Sequence, residues 1–295
     1  MAKQHLLKRQ PLSIATAKIA DFNVKGAGME ERVRIEVDAR GVADVCMVRG
    51  DKMNALDFAM FDALAAAITQ IKADRQVRVV VLHGQGRAFC AGLDTGRFAK
   101  MSAGEAGGTR DLMARIHGRS NSPQYLGMGW RELAVPVIAA VHGVAFGGGL
   151  QLALGADIRL VTADARLSVL EIKWGLVPDM AGIALMRGLL RDDVVRELTF
   201  TGRIVRGDEA VAIGLATRVC VDPLADARAL AAEIAGRSPD ALRHAKDLLN
   251  RALDEDTASL LLAESKAQTE VMGSANQTEA VRANLAQRPP VFVLG

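Results

Sequence analysis

The sequence predicts a mixed α/β fold with a helical C-terminal third. Three observations carry this. Short runs rich in Val and Ile recur as far as Val161, a stretch of helical spacing separates the first runs, and from Asp208 onward helix-like sequence with cap signals takes over.

In chain order, the strand-like runs are Val33–Val37, Val42–Val48, Val77–Leu82, Val137–Val141 and Ile158–Val161. Between the second and third, Leu56 to Asp74 reads as a helix, because Phe61, Leu64, Ile68 and Ile71 share one face of a 3.6-residue period. The stretch from Phe98 to Gly129 is rich in Gly, Ser and Met without a clean period, and no element is assigned to it. From Ala134 to Ala156 only His142 and Gln151 are conspicuously polar. Pro136, Gly143 and Gly147-Gly148-Gly149 break that run, so it reads as a buried strand, a loop and a buried helix, not a membrane span. Farther on, Ser238-Pro239 marks a helix start, and Asn276 with Glu279 suggests a capping box.

Hydrophobic residues make up 50% and charged residues 24%, which suits an enzyme-sized core. Aromatics are only 4%, so that core rests on aliphatic side chains. The net charge of +3 is unevenly placed. Residues 1–28 carry Lys3, Lys8, Arg9, Lys18 and Lys25 against Asp21 alone, which leaves the rest of the chain at −1. A body without basic excess argues against a nucleic-acid partner. The 1–28 leader reads as a start error or tag ahead of a targeting peptide, because it is poor in Ser and lacks an Arg bias. Cys46, Cys90 and Cys220 stand far apart and form no disulfide framework; with that cysteine usage the expected compartment is the cytoplasm.

Two glycine-containing stretches bear the chemistry. Phe89-Cys90-Ala91-Gly92-Leu93-Asp94 follows one strand-like run, and Gly147-Gly148-Gly149 follows another and opens onto Leu150-Gln151. Small residues where a strand turns leave peptide N–H groups uncovered, and the second stretch adds the partial positive charge of a helix start. Two such donor stations converging on one point would make an oxyanion hole.

The order and flanks of these stretches resemble the crotonase family, the enoyl-CoA hydratase/isomerase superfamily. The likeness extends from about Met29 to the end. It includes Arg49 to Leu56, Pro136 to Gly143, Ala156-Asp157-Ile158-Arg159, Gly207-Asp208-Glu209-Ala210 through Ala216, and Arg288 to Phe292. The resemblance implies a spiral of strand–strand–helix units over 29–205, a helical trimerisation region over 206–295, and a homotrimer or hexamer. It further implies an acyl-CoA substrate, with coenzyme A as part of that substrate and no separate cofactor. On the family pattern, the N–H groups of Ala91 and Gly148 hold the thioester oxygen, and the 98–129 stretch helps shape the acyl pocket.

The acid/base positions are where this chain departs from the hydratase pattern. Hydratases of the family use two glutamates, and the first position is Gln151 here while the second is Glu171. An amide cannot take up and return a proton as a carboxylate does. With Glu171 alone in place, the resemblance favours a double-bond shift over hydration. Flanking Leu170, Ile172 and Trp174 are expected to desolvate Glu171 and raise its pKa. Asp179 is a second acid/base candidate shared with dienoyl-CoA isomerases, or else a cap for the following helix. Lys52 is a candidate for the phosphate end of coenzyme A, against a solvated loop lysine. Gly92, Leu93, Asp94 and Gln151 are expected along the ligand's path. His142 reads as a satisfied core histidine, and Cys90 as packing and not as a nucleophile.

Other signatures fail. Gly84-Gln85-Gly86 is followed by Phe89 where a dinucleotide-binding turn needs glycine. No phosphate-loop Lys, nucleophile elbow or metal-spaced His/Cys cluster is present. The competing classes are a hydratase with an unusual acid/base pair and a non-catalytic acyl-CoA-binding subunit.

Overall fold

The computed structural model describes residues 31–96, 102–103 and 111–293, together with the backbone of 20–23. Apart from 20–23, the 1–28 leader lies outside the described residues, as does most of the first half of the 98–129 stretch.

Seven strands form the main sheet: β1 (Ala20–Asn23), β2 (Val33–Val37), β3 (Val42–Met47), β4 (Val79–Gly84), β5 (Val137–Val141), β7 (Ile158–Val161) and β10 (Arg218–Val219), adjacent in that order. The first three pair antiparallel, and the remainder run parallel from β3 onward. A smaller sheet joins β6 (Val144–Phe146), β8 (Arg166–Ser168) and β9 (Val205–Arg206).

All six residues of β4 are buried, which is the mark of a strand covered on both faces. Strand alternation sorts them. Val80 and Leu82 join Val45, Met47, Val137 and Ala139 in a core beneath helix α1 (Phe58–Ala73) and helix α2 (Ser122–Arg131). Val79 and Val81 join Val42, Ile138, Ala140 and Leu160 in a second core. There Ala227, Ala231 and Ala235, each four residues apart, line the buried face of a helix spanning Pro223–Ala235. Truncating a fully buried side chain such as Leu82 or Met60 to Ala costs about 2–5 kcal/mol in such settings.

The remaining helices, in chain order, are α3 (Gly148–Leu154), α4 (Gly182–Met186), α5 (Asp192–Thr201), α6 (Gly207–Ala212), the Pro223–Ala235 helix just described as α7, α8 (Pro239–Arg251), α9 (Thr257–Val271) and α10 (Ala275–Leu285). The packing does not divide at residue 205, since β10 extends the main sheet and α7 covers its second face. Farther out, α8 is fastened to the core by buried Lys246, whose Nζ donates to Val135 O at 2.7 Å and Asp157 Oδ2 at 2.8 Å. Asp157 Oδ2 also accepts the Val137 N–H at 2.7 Å, so the helical third is tied to the start of β5.

Several sequence expectations shift by a few residues. The α1 helix begins after Asp57, whose carboxylate accepts the Met60 N–H at 2.7 Å. Ser238 caps α8 with Pro239 in its first turn, as its sequence suggests. The cap of α10 is Ser274, not Asn276: its hydroxyl accepts the Gln277 N–H. Asn276 is buried and bridges Asp240 and Val293, while Glu279 pairs with Arg288. Asp179 caps no helix, because α4 starts after Ala181 and has no side-chain cap.

Candidate active site

The two glycine-containing stretches meet. Cys90 N–H donates to Val144 O at 3.1 Å and Phe146 N–H to Cys90 O at 3.1 Å, a parallel bridge between Cys90 and Ala145. Glycines permit the approach. A Cβ on Gly149 would collide with Cys90 O, and one on Gly92, at φ +86°, would collide with Phe146 O and stand 3.6 Å from Gly148 N.

Each stretch leaves one amide free. Leu56 N–H donates to Gly92 O at 2.8 Å and Asp94 N–H to Leu56 O at 3.2 Å, so Leu56 bonds to both sides of Leu93. Among the described residues nothing accepts the Leu93 N–H. Gly148 opens α3, so its N–H has no partner within the helix. The Ala91 N–H, by contrast, donates to Met53 O at 2.9 Å and is unavailable to a ligand. This corrects the sequence expectation for Ala91: the uncommitted amide lies two residues on, at Leu93.

Both stretches face a cleft of about 290 Å³. Ala91, Gly92, Leu93, Gly147 and Gly148 line it, with apolar walls from Leu56, Phe61, Phe146, Trp174 and Met180. Glu171 and Asp179 also line it. Glu171 begins a 3₁₀ turn, Glu171–Trp174, and is 8% exposed. Its Oε1 accepts a hydrogen bond from Gln151 Nε2 at 2.6 Å. Its Oε2 is buried with no partner among the described residues. Burial above all raises the Glu171 pKa, and the charge of Asp179 adds to this; the residue's own N–H and the Gln151 bond oppose it. The arrangement is a desolvated carboxylate with one committed oxygen and one free oxygen, beside two uncommitted amides.

The other predicted residues fall outside the cleft lining. Gln151, 2% exposed, sits behind Glu171 and accepts the N–H groups of Met180 and Gly182, both at 2.8 Å. Asp94 accepts from Arg49 Nη1 at 2.7 Å and from Gly96 N–H at 2.9 Å. Burial alone would raise its pKa, but those partners and nearby Lys52 hold it below the usual carboxylate range. Lys52 itself is exposed at the end of the 3₁₀ turn Gly50–Lys52. His142 is half-buried with Nε2 2.9 Å from Gly86 O. The Cys90 thiol is wholly buried, and burial pushes its pKa up to about 12, which leaves no reactive thiolate. No His/Cys/Asp/Glu group that could hold a metal occurs among the described residues, and no described helix is long and apolar enough to cross a membrane.

Sequence reasoning overlooked Asn54. It lies at φ +54° directly after Met53 at φ +52°, and its Nδ2 reaches Gln85 O, Ala88 O and Phe89 O at 3.0, 2.9 and 3.1 Å. This one amide fixes the loop that delivers Ala91 to Leu93. Its only sequence signal was an Asn among turn-forming residues.

The chain resembles known proteins along most of its length. The family profile "Enoyl-CoA hydratase/isomerase" matches residues 38–293. Methylglutaconyl-CoA hydratase of Mus musculus is 30% identical over 271 residues, spanning 89% of this chain and 83% of that protein. Enoyl-CoA hydratase domain-containing protein 2 of Bos taurus is 32% identical, spanning 86% and 85%. The crystal structure of an enoyl-CoA hydratase from Mycobacterium smegmatis superposes with a TM-score of 0.76 at 32% identity, over 89% of this chain and 99% of that one. With that match over residues 38–293 and a crotonase fold around a cleft lined by a buried glutamate, the chain belongs to the enoyl-CoA hydratase/isomerase family.

Proposed function

We propose that this protein binds an acyl-CoA thioester, stabilises its enolate with the Leu93 and Gly148 amides, and uses Glu171 to move a proton. The observation that carries the reading is the pairing of two unbonded N–H groups with the unpartnered Glu171 Oε2 in one apolar cleft. Enolate formation puts negative charge on the thioester oxygen, and fixed amides meet that charge without reorganising. Burial keeps Glu171 basic enough to take a proton from carbon and acidic enough to give it back.

The reaction we favour is a double-bond shift. One carboxylate suffices: Oε2 removes a proton at one carbon and returns it at another, with no net change in atoms. Hydration needs a group to activate water as well, and Gln151 cannot titrate. A second reading, hydration by Glu171 with Asp179, is supported by Asp179 lining the same cleft and by relatives named as hydratases. Incubation with 3-enoyl-CoA and 2-enoyl-CoA in separate reactions distinguishes the two. Interconversion of the double bond faster than water addition is expected; fast hydration with no shift reverses the order. If acyl-CoA binds and neither reaction occurs, the non-catalytic binding role takes precedence.

A further inference from the structure

We infer that Gln151 is a positioning residue that sets both carboxylate-bearing walls of the cleft through a single side-chain amide. Resting on the reading of Glu171 as the base, this deepens it by naming what selects the working oxygen.

The orientation of the amide is fixed by its partners. Met180 N–H and Gly182 N–H are donors, so the Gln151 atom 2.8 Å from each must be the carbonyl oxygen. The other end is then the NH₂ group, which donates to Glu171 Oε1 at 2.6 Å. A donor at Oε1 keeps that oxygen an acceptor. The exchangeable proton of Glu171 is thereby confined to Oε2, the atom without a partner among the described residues.

The same amide shapes the wall that bears Asp179. Helix α4 has no side-chain cap, and Ala181 before it sits at φ +70°, a left-handed conformation that is strained for a residue with a side chain. Gln151 Oε1 accepts the N–H groups on either side of that residue and so offsets the strain. A Cβ on Gly182 would lie 2.8 Å from both Gln151 Cγ and Oε1, which shows how closely the two are pressed together. The turn so held carries Asp179 and Met180 into the cleft, and Met180 Sδ packs over Gly148. A glutamate at 151 could keep the two backbone bonds but would meet Glu171 with a like charge, so the pair would share one proton. Methionine would fill the space and lose all three hydrogen bonds.

The test compares the full-length protein with Gln151→Met, Gln151→Glu and Glu171→Gln. Its readouts are the ¹³C titration of the Glu171 carboxyl, identified by its absence from Glu171→Gln, and kcat and KM for enoyl-CoA. Expected for Gln151→Met is a Glu171 midpoint higher by roughly half a pH unit or more, because a bond to the ionised form is gone. Its kcat should fall on the order of 100-fold with KM within about threefold of wild type. Gln151→Glu should recover the melting temperature but show two coupled carboxyl midpoints. An unmoved midpoint in Gln151→Met, or in Gln151→Glu should the first variant not fold, overturns the inference. Full activity in Glu171→Gln instead overturns the reading of Glu171 as the base, whatever the Gln151 variants do.

Discussion

The Ala91 amide points at Met53 O, 2.9 Å away, while the Leu93 amide two residues later has no described acceptor. The two N–H groups therefore differ in kind: one holds the loop and the other, on a residue that lines the cleft, is uncommitted. Proline substitution separates them, since it deletes an N–H. Leu93→Pro should lower kcat by about 10²–10³ with little loss of melting temperature, as removal of an oxyanion donor does. Ala91→Pro should lower the melting temperature first. Activity retained in Leu93→Pro would remove Leu93 from the site.

Glu171 is held away from water, and its raised pKa signifies a carboxylate that opposes folding when ionised. The folded state keeps the proton to higher pH than the unfolded chain. The destabilisation is thus absent below the ordinary carboxylate pKa of about 4.3, and complete once pH exceeds the raised folded value. Glu171→Gln should abolish turnover and melt higher than wild type at pH 7.5. That advantage should shrink as pH falls toward the unfolded value, which thermal scans across pH would show.

Asp179 adds to the elevation of the Glu171 pKa through its charge. In Asp179→Asn the acid limb of kcat/KM should move to lower pH. A limb that stays in place would mean the two carboxylates do not communicate in solution.

A part-buried ion pair outside the cleft lining makes a separate prediction. His83 Nε2 lies 2.6 Å from Asp44 Oδ1, and Asp44 Oδ2 also takes Arg228. Burial alone would lower the His83 pKa, but Asp44 and Cys46 raise it to about 9. The protonated pair stabilises the fold fully below about pH 6.5 and loses that contribution as pH rises through about 9. At a conversion of about 1.4 kcal/mol per pH unit, the contribution is at most about 3.5 kcal/mol. Urea titrations should show His83→Leu missing the decline between pH 7 and 10 that the wild type displays.

Helix α9 buries Ala263 alone, while Leu261 and Leu262 are each 57% exposed. The homotrimer or hexamer implied by the family resemblance would cover them. Light scattering should report a multiple of the 31.4 kDa chain, and Leu261→Asp with Leu262→Asp should reduce it. A monomeric wild type refutes this.

Strands β2, β3, β4, β5 and β7 were legible because their Val and Ile runs leave little choice of structure, and β4 was offset by only two residues, whereas the three-residue β6 fell in what reads as a loop. Helix α1 showed its period, while its Asp57 cap emerged only from the structure. Helix α2 was hidden, since its buried face includes Gly127 and Gly129 in place of large apolar residues. Its signal was the Asn121/Gln124 capping box with Pro123, which is local and carries no period. The donor segments could be found from their glycines, but which amide stays free could not. That depends on Met53 and Leu56, residues distant in sequence from the Gly147 stretch and engaged through backbone atoms that any side chain shares. Gln151 was read as a missing acid. Its three hydrogen bonds involve Met180 N, Gly182 N and Glu171, and no spacing rule joins those positions.

The Cys90–Ala145 bridge has a thermodynamic corollary. Since its rungs belong to the folded chain itself, the gap between the two open amides is established before any ligand arrives, and an enolate mimic should bind with little ordering of the backbone. Affinity for such a mimic should then vanish together with the ladder in denaturant, in one step and at the same midpoint.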